Sequence, residues 1–223
     1  MTTAADTPRW EDTLRKITVL IGRLGLAYLF FTQLFWKLPP SFGCTNDFAF
    51  PTAAAAPNYW QANGSGGLCY WMGLESVFAP QNRQVLVSDM RLAGLPKLGL
   101  NIAPLAQLNA LVIDNVFKPG IAFWGWLLWL TEFWAFISLL LGFLTRLGAL
   151  AALGVSFQLF IGLANIPRPY EWEWSYGGMI LLSLLMLGLG VGRWVGMDAV
   201  LRRRIAARPA PRRLLARLLL ALS

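Results

Sequence analysis

Four long apolar runs dominate the chain and predict membrane-spanning helices. An apolar run of about 20 residues is long enough to cross the hydrocarbon core of a bilayer as a helix. The run from Trp124 to Arg146, WGWLLWLTEFWAFISLLLGFLTR, also carries one carboxylate, Glu132, near its middle. The four runs lie at about residues 17–36, 121–144, 147–166 and 176–197. They predict an all-α integral membrane protein, built as a four-transmembrane-helix bundle.

A long connection, residues 38–118, separates the first two predicted spans. Its first part is rich in Gly, Ala, Pro and aromatic residues, which predicts an irregular loop. A helical pattern follows from about Pro104, but residues 98–117 hold too many polar side chains for a membrane span. We expect this helix to lie on the membrane, to be tucked into the bundle, or to form a short re-entrant segment.

The composition also indicates a membrane protein, since 57% of the 223 residues are hydrophobic and 13% are charged, against about 25% charged in soluble domains. In a soluble protein the net charge of +8 would suggest nucleic acid. Here the positive-inside rule explains it, so we expect lipid and no nucleic acid as a partner. The side with both termini carries twelve Lys and Arg and the opposite side six. The rule predicts cytoplasmic termini and an extracytoplasmic long loop, in a bacterial or archaeal cytoplasmic membrane.

The chain after the fourth predicted span is strongly basic. Residues 202–223 contain seven arginines, three of them set against leucines in the final RRLLARLLLALS. This pattern is typical of a short helix on an anionic membrane surface, and a frayed basic tail is the alternative. The chain therefore divides into a membrane domain, residues 1–201, and a basic cytoplasmic tail, residues 202–223.

Two residue counts exclude most tightly bound redox cofactors. The chain has no histidine, which is the commonest protein ligand of haem, copper and non-haem iron. Its two cysteines are too few for a cysteine-ligated iron–sulfur cluster or a structural zinc site. We therefore expect no metal site and no tightly bound cofactor, whereas a reversibly bound quinone or lipid is compatible with the sequence.

Three charged residues within or beside the predicted spans are candidates for chemistry: Glu132, Arg23 and Lys37. A carboxylate near the middle of a bilayer is costly unless it has a partner or faces water. A buried Arg23–Glu132 pair would account for both charges. This pair either fixes the helix register or forms a pocket in which Glu132 exchanges a proton with a bound quinone or acid. Lys37 can snorkel to the interface or line the same site.

Cys44 and Cys69 lie in the predicted outer loop, 25 residues apart. On that side of a bacterial membrane a structural disulfide is favoured, and an exchanging redox pair or two free thiols are the alternatives. Lys37 and three further residues are expected at the outer surface, where they would either attract a small oxyanion such as thiosulfate or anchor the chain at the interface. The three are Arg168, Trp172 and Trp174.

Short blocks in a fixed order run through the four predicted spans. They are Arg23-Leu-Gly25, Lys37-Leu38, Thr131-Glu132, LGFLTR at 141–146, EWSY at 173–176 and GRWVGMD at 192–198. In these blocks the chain resembles the DoxX/DoxD family, in particular the DoxD-type small subunit of thiosulfate:quinone oxidoreductase. The resemblance covers most of residues 17–201. It implies a four-helix membrane protein that passes electrons from a sulfur compound to quinone, usually with a second subunit.

Two functions from different classes follow from these observations. In the first, the chain is the membrane subunit of a quinone-linked oxidoreductase, and Arg23, Glu132 and Lys37 line the site. In the second, it is a non-catalytic accessory subunit of a larger respiratory or photosynthetic membrane complex. The eleven tryptophans and the small residues of the third span suit contact with other membrane subunits. A small-solute transporter ranks third, since no inverted repeat is apparent.

Overall fold

The computed structural model describes residues 8–44, 67–85, 99–166, 173–207 and 213–223. Within these ranges the helices are α1 (Arg9–Gln33), α2 (Leu68–Phe78), α3 (Ala103–Val112), α4 (Ile121–Leu141), α5 (Thr145–Leu163), α6 (Glu173–Leu189), α7 (Met197–Ala206) and α8 (Arg213–Leu222). The same ranges contain a short antiparallel strand pair, β1 (Gln84–Val85) and β2 (Leu100–Asn101), with Gln84 opposite Asn101. The described residues also include short turns of 3-10 helix at Phe35–Lys37 and Val191–Arg193, and a turn of π-helix at Ile113–Phe117.

The described residues include three helices that are long and apolar enough to cross a membrane. They are α1 with its 3-10 extension, Arg9–Lys37, then α4, Ile121–Leu141, and α5, Thr145–Leu163. Large apolar side chains such as Ile21, Tyr28 and Phe123 are exposed on the surfaces of α1 and α4. A surface of this kind is stable in contact with lipid and costly in water. The prediction of an all-α membrane protein is thus confirmed.

The fourth predicted span is shorter than the sequence pattern suggests. α6 has 17 residues, a length of about 26 Å at the helical rise of 1.5 Å per residue. The apolar pattern predicts a span to about residue 197, but Gly190 adopts a left-handed conformation with φ of 55° and ends the helix. Glycine tolerates this conformation without the steric cost that other residues meet, so it commonly terminates helices.

The described part of the connection between α1 and α4 contains a helix, α2, that the sequence pattern does not predict. Residues 68–71, assigned to an irregular loop from the sequence, form the first turn of α2. α2 is apolar on almost all sides, and a helix of that kind is buried. Leu74, Val77 and Phe78 pack in one apolar cluster, whereas Leu68 and Met72 pack in another. The helix predicted from about Pro104 is present as α3.

Contacts between residues divide the chain into two compact units. One consists of Met1–Thr32, Glu132–Leu153 and Leu181–Ser223, and the other of Gln33–Thr131 and Gly154–Ile180. In the first unit α1 and α4 pack through Phe31 and Phe136, whose ring centroids are 5.0 Å apart. In the second, α2 packs against the end of α5 through the cluster that includes Leu163 and Ile166.

The predicted disulfide is confirmed: Cys44 and Cys69 are bonded, with their Cα atoms 5.4 Å apart. The bond ties the segment after α1 to the first turn of α2. Much of the loop that it closes, residues 45–66, lies outside the described residues.

Removal of this disulfide should destabilise the protein by about 3 kcal/mol, the loop-closure entropy expected for a loop of this size. We expect Cys44→Ser and Cys44→Ser/Cys69→Ser to lower the thermal unfolding temperature in detergent by similar amounts. Alkylation followed by intact-mass measurement checks the bond directly. The wild-type protein should take no label under denaturing, non-reducing conditions and two labels after reduction; two labels without reductant would contradict the assignment.

Candidate functional site

A buried carboxylate, Glu75, is the centre of a polar cluster inside the second unit. Glu75 lies on α2 and its side chain is only 4% exposed. Its Oε2 accepts hydrogen bonds from Asn109 Nδ2 on α3, at 2.6 Å, and from Gln158 Nε2 on α5, at 2.7 Å. Three helices therefore converge on one carboxylate oxygen. We call Glu75, Arg83, Asn109, Gln158 and Gly162 the Glu75 cluster.

The side chain of Glu75 fits against α5 only because residue 162 is glycine. A Cβ atom at position 162 would overlap Oε2, Cδ and Cγ of Glu75. Gln158 and Gly162 are four residues apart and so lie on the same face of α5. Gln158 donates a hydrogen bond to the carboxylate, and Gly162 allows α2 to approach α5 closely.

Arg83 provides the positive charge of the cluster. Its guanidinium is 2% exposed and donates hydrogen bonds to the backbone carbonyls of Gly162, at 2.6 Å, and Ile161. These carbonyls belong to the last turn of α5, where the helix lacks its own donors. A cation at this end also interacts favourably with the helix dipole. Arg83 therefore caps α5 and carries its charge close to Glu75.

Burial raises the pKa of Glu75 to about 7, against the opposing effects of the hydrogen bonds from Gln158 and Asn109 and of the charge of Arg83. Burial likewise lowers the pKa of Arg83, and the charge of Glu75 opposes that change. Both amide hydrogen bonds reach Oε2, so Oε1 is the oxygen available to carry a proton. A carboxyl group with a pKa near neutrality can both donate and accept a proton under physiological conditions.

The sequence contains a signal for the burial of Glu75. In the run LCYWMGLESVF, Glu75 is the single charged residue among apolar and small ones. The predicted outer loop, residues 38–118, places Glu75 and Arg83 among its surface charges, because the sequence pattern does not predict α2. Their burial corrects that assignment.

A second buried carboxylate, Asp198, holds the beginning of α5 in the first unit. Its Oδ1 accepts a hydrogen bond from Leu144 N at 2.7 Å, and its Oδ2 accepts from Thr145 N at 3.0 Å and Thr145 Oγ1 at 2.6 Å. The backbone N–H of Asp198 in turn donates to the carbonyl of Gly142 at 2.8 Å. This is a helix N-cap supplied from about 50 residues further along the chain. We call Asp198, Gly142, Leu144, Thr145 and Arg23 the Asp198 cluster.

Arg23 belongs to this cluster. It donates a hydrogen bond to the carbonyl of Val195 and is subject to the negative charge of Asp198. The guanidinium of Arg23 lies beside Gly142, where a Cβ would be 2.5 Å from Nη1. Gly142 directly follows Leu141, the last residue of α4, and Glu132 lies about 14 Å back along that helix by helical rise. The predicted Arg23–Glu132 ion pair is therefore wrong: Arg23 links the blocks LGFLTR and GRWVGMD instead.

The remaining predicted site residues have mixed outcomes. Glu132 is 1% exposed and shares the inward face of α4 with Ala135 and Leu139, and its proposed acid–base role stays a prediction. Lys37 does not snorkel to the surface, as it is 4% exposed and its Nζ lies 4.5 Å from the centroid of the Trp36 ring. Trp174 is 60% exposed. Arg168 and Trp172 lie outside the described residues.

Substitution Asp198→Ala should destabilise the protein by about 3 kcal/mol, because it removes three hydrogen bonds and leaves buried N–H groups without acceptors. Asp198→Asn should cost less, since the amide oxygen still accepts. Asp12→Asn is the matched control, because Asp12 forms exposed pairs with Arg15 and Lys16 on the first turns of α1. Thermal unfolding in detergent gives the comparison. Equal stability of Asp198→Ala and the control would contradict the capping role.

The raised pKa of Glu75 predicts a pH-dependent stability. The protonated form is favoured by folding, so this contribution is complete below about pH 4.5 and is lost as the pH rises through about 7. Its full size is about 3 kcal/mol. Glu75→Gln should therefore gain stability relative to the wild type between pH 5 and pH 8. Unfolding temperatures of both proteins across this range test the prediction, and a constant difference would refute it.

Comparison with known proteins identifies no relative. No protein-family model, no curated protein and no solved structure matches the chain.

Proposed function

We propose that the chain is the membrane subunit of a quinone-linked oxidoreductase of the DoxX/DoxD type, in which Glu75 exchanges protons with the quinone. The observation that carries the proposal is a fully buried carboxyl group with a pKa of about 7 and both amide donors on one oxygen. We therefore assign the general acid–base role, which the sequence predicts for Glu132, first to Glu75. The sequence resemblance supports the choice of quinone.

In the proposed reaction, thiosulfate is oxidised and a quinone is reduced. Two thiosulfate ions each lose one electron and join through a new S–S bond to form tetrathionate. The two electrons reduce a reversibly bound quinone, which takes up two protons to become the quinol. Oε1 of Glu75 delivers each proton in turn and is reprotonated from water between transfers. A partner membrane subunit accepts the electrons from thiosulfate and passes them to the quinone.

The same proposal includes a topology. α1, α4, α5 and the shorter α6 form a four-span bundle in a bacterial or archaeal cytoplasmic membrane. The Cys44–Cys69 disulfide supports an extracytoplasmic location for the connection between α1 and α4, because disulfides persist outside the reducing cytoplasm. The arginines of α7 and α8 support cytoplasmic termini.

In this proposal Glu132 and Lys37 remain candidate catalytic residues, whereas Arg23 has a structural role. Glu132 is a second buried carboxyl group within a span and is a candidate for proton transfer. Lys37, buried in the 3-10 turn that follows α1, is a candidate for attracting the sulfur oxyanion. Arg23 acts instead as a positioning residue for the Asp198 cluster.

The alternative is a non-catalytic accessory subunit of a larger respiratory or photosynthetic complex. The close approach of Gly162 to Glu75 favours it, since the space beside Oε2 is filled by α5. The exposed apolar face of α3, with Leu105, Leu108 and Leu111, also suits a protein or lipid neighbour. In this case the Glu75 cluster fixes the packing of α2, α3 and α5.

Turnover by the Glu75→Gln variant separates the two functions. We expect the complex purified in mild detergent to reduce a short-chain quinone with thiosulfate. Glu75→Gln should lower kcat by about 100-fold, a typical loss for removal of a general acid. Glu11→Gln, which alters an exposed carboxylate of α1, should leave kcat unchanged. Glu132→Gln reports whether a second carboxyl group takes part.

Unchanged turnover in folded Glu75→Gln would refute the proton-exchange role. Absence of turnover in the wild type, together with a pigment-bearing or cytochrome-bearing assembly of fixed stoichiometry, would favour the accessory subunit.

A further inference from the structure

The helix α3 has its small side chains inside and its large side chains outside. Ala106 and Ala110 are buried and pack with Ala79, which follows α2. The opposite face carries large apolar side chains that are exposed: Leu105, Leu108, Leu111 and Val112. In water the large side chains would be the ones to bury, because the gain in free energy grows with the apolar area removed from water. Small residues at the contact and leucines outside are typical of helices packed within a membrane.

The contacts of α3 place it beside the membrane-spanning helices rather than beyond their ends. Asn109 of α3 and Gln158 of α5 both donate to Oε2 of Glu75, at 2.6 Å and 2.7 Å. Gln158 lies about 8 Å before Leu163, the last residue of α5, by helical rise. The middle of α3 is therefore alongside the last turns of α5.

The lengths of α5 and α4 indicate that this position is within the hydrocarbon layer. The 19 residues of α5 measure about 29 Å, and the hydrocarbon core of a bilayer is about 30 Å thick. A point about 8 Å from the end of α5 is thus inside the core that α5 crosses. Leu128 of α4 gives the same result: it lies about 10 Å from the beginning of that helix and belongs to one apolar cluster with Ile113, which directly follows α3.

Both ends of α3 are connected to the ends of membrane-spanning helices. Just before α3, Ile102 N donates to the carbonyl of Arg83 at 3.0 Å, and the Arg83 side chain binds the last carbonyls of α5. After α3, the π-turn Ile113–Phe117 leads to the beginning of α4. The ion pair between Asp114 and Lys118 lies in this connection, where the headgroups of a bilayer accept charge. α3 therefore runs along the membrane, from the end of α5 to the beginning of α4.

Two polar side chains that argue in the sequence against a membrane position have partners inside the protein. Asn109 donates to Glu75, and Asn115 donates to the carbonyl of Leu111 at 2.8 Å. A polar group that is hydrogen-bonded within the protein does not need water. Gln107 is exposed, and its cost in hydrocarbon is opposed by the four large apolar side chains of the outer face.

Lipid is the neighbour that the outer face of α3 fits. Protein contacts between membrane helices are enriched in small residues, which allow close packing where no hydrophobic force drives association. α3 uses its alanines for that kind of contact and presents leucines outward. We propose that α3 lies within one leaflet of the membrane and that Leu105, Leu108, Leu111 and Val112 contact the acyl chains of phospholipids. This proposal does not depend on the quinone reaction.

The accessibility of a nitroxide spin label in lipid vesicles tests the position of α3. Cys44 and Cys69, the two cysteines of the sequence, are bonded to each other, so an introduced cysteine supplies the single thiol for the label. The label is attached through Leu108→Cys in α3, Leu127→Cys on the exposed face of α4, or Arg204→Cys in the basic helix α7. The vesicles contain phosphatidylethanolamine and phosphatidylglycerol. Collisions of the label with oxygen, which concentrates in acyl chains, are compared with collisions with a water-soluble nickel chelate.

We expect the ratio of oxygen to nickel collisions at position 108 to be within about threefold of the ratio at 127, and at least about 10-fold above the ratio at 204, because the polar chelate is excluded from hydrocarbon. A ratio at 108 as low as that at 204 would place the outer face in water and overturn the proposal. Few collisions with either reagent at 108 would place a protein neighbour on this face and overturn it as well.

Labelling of the unaltered protein replaces this measurement if Leu108→Cys does not fold, as judged by thermal unfolding. The wild type in the same vesicles is irradiated with a lipid-soluble carbene precursor, and the labelled residues are identified by mass spectrometry of peptides. Label on Leu108 or Leu111 at the level found on Leu127 supports the proposal. Label confined to the membrane-spanning helices contradicts it.

Discussion

The two ends of α5 are completed by buried side chains of opposite charge. Asp198 accepts hydrogen bonds from the first N–H groups of the helix, and Arg83 donates to its last carbonyls. The free groups at helix ends need partners wherever water is scarce. The helix dipole favours a negative group at the first end and a positive one at the second. Both partners are distant from α5 in sequence, so each end of the helix is held by a segment from another part of the chain.

Each end also forms a polar cluster, and the chemistry of the two differs. Asp198 spreads three hydrogen bonds over both carboxylate oxygens, which suits a structural clamp. Glu75 receives both amide hydrogen bonds on Oε2, so one oxygen is held and the other is able to carry a proton. Burial then brings its pKa to about 7. The arrangement of donors, rather than the presence of a buried carboxylate, distinguishes the candidate functional residue from the structural one.

Arginine has three separate uses in this chain. Arg83 caps a helix beside a carboxylate, and Arg23 joins two turns through the carbonyl of Val195. Arg146, Arg193 and Arg202 donate hydrogen bonds to main-chain oxygens in the last turn of α8. The guanidinium allows all three, because it keeps its charge when buried and offers several donors in a fixed plane. The positive-inside count uses only the predicted side of each charge, and so it cannot reveal these different environments.

The sequence by itself determined the features that depend on local pattern. Apolar runs of sufficient length gave α1, α4 and α5, and the two cysteines of one connection gave the disulfide. The helix near Pro104 followed from its periodicity. The tertiary structure decided which charges meet. The sequence suggested an ion pair between Arg23 and Glu132 because both lie in predicted spans. In the folded chain the guanidinium of Arg23 instead lies beside Gly142 and donates to the carbonyl of Val195. Glu75 resembled a loop charge until α2 was seen to be buried against Gly162. Hydrophobicity is a property of each residue and is legible in sequence, whereas the partner of a buried charge depends on helix ends and close approaches that only the folded chain creates.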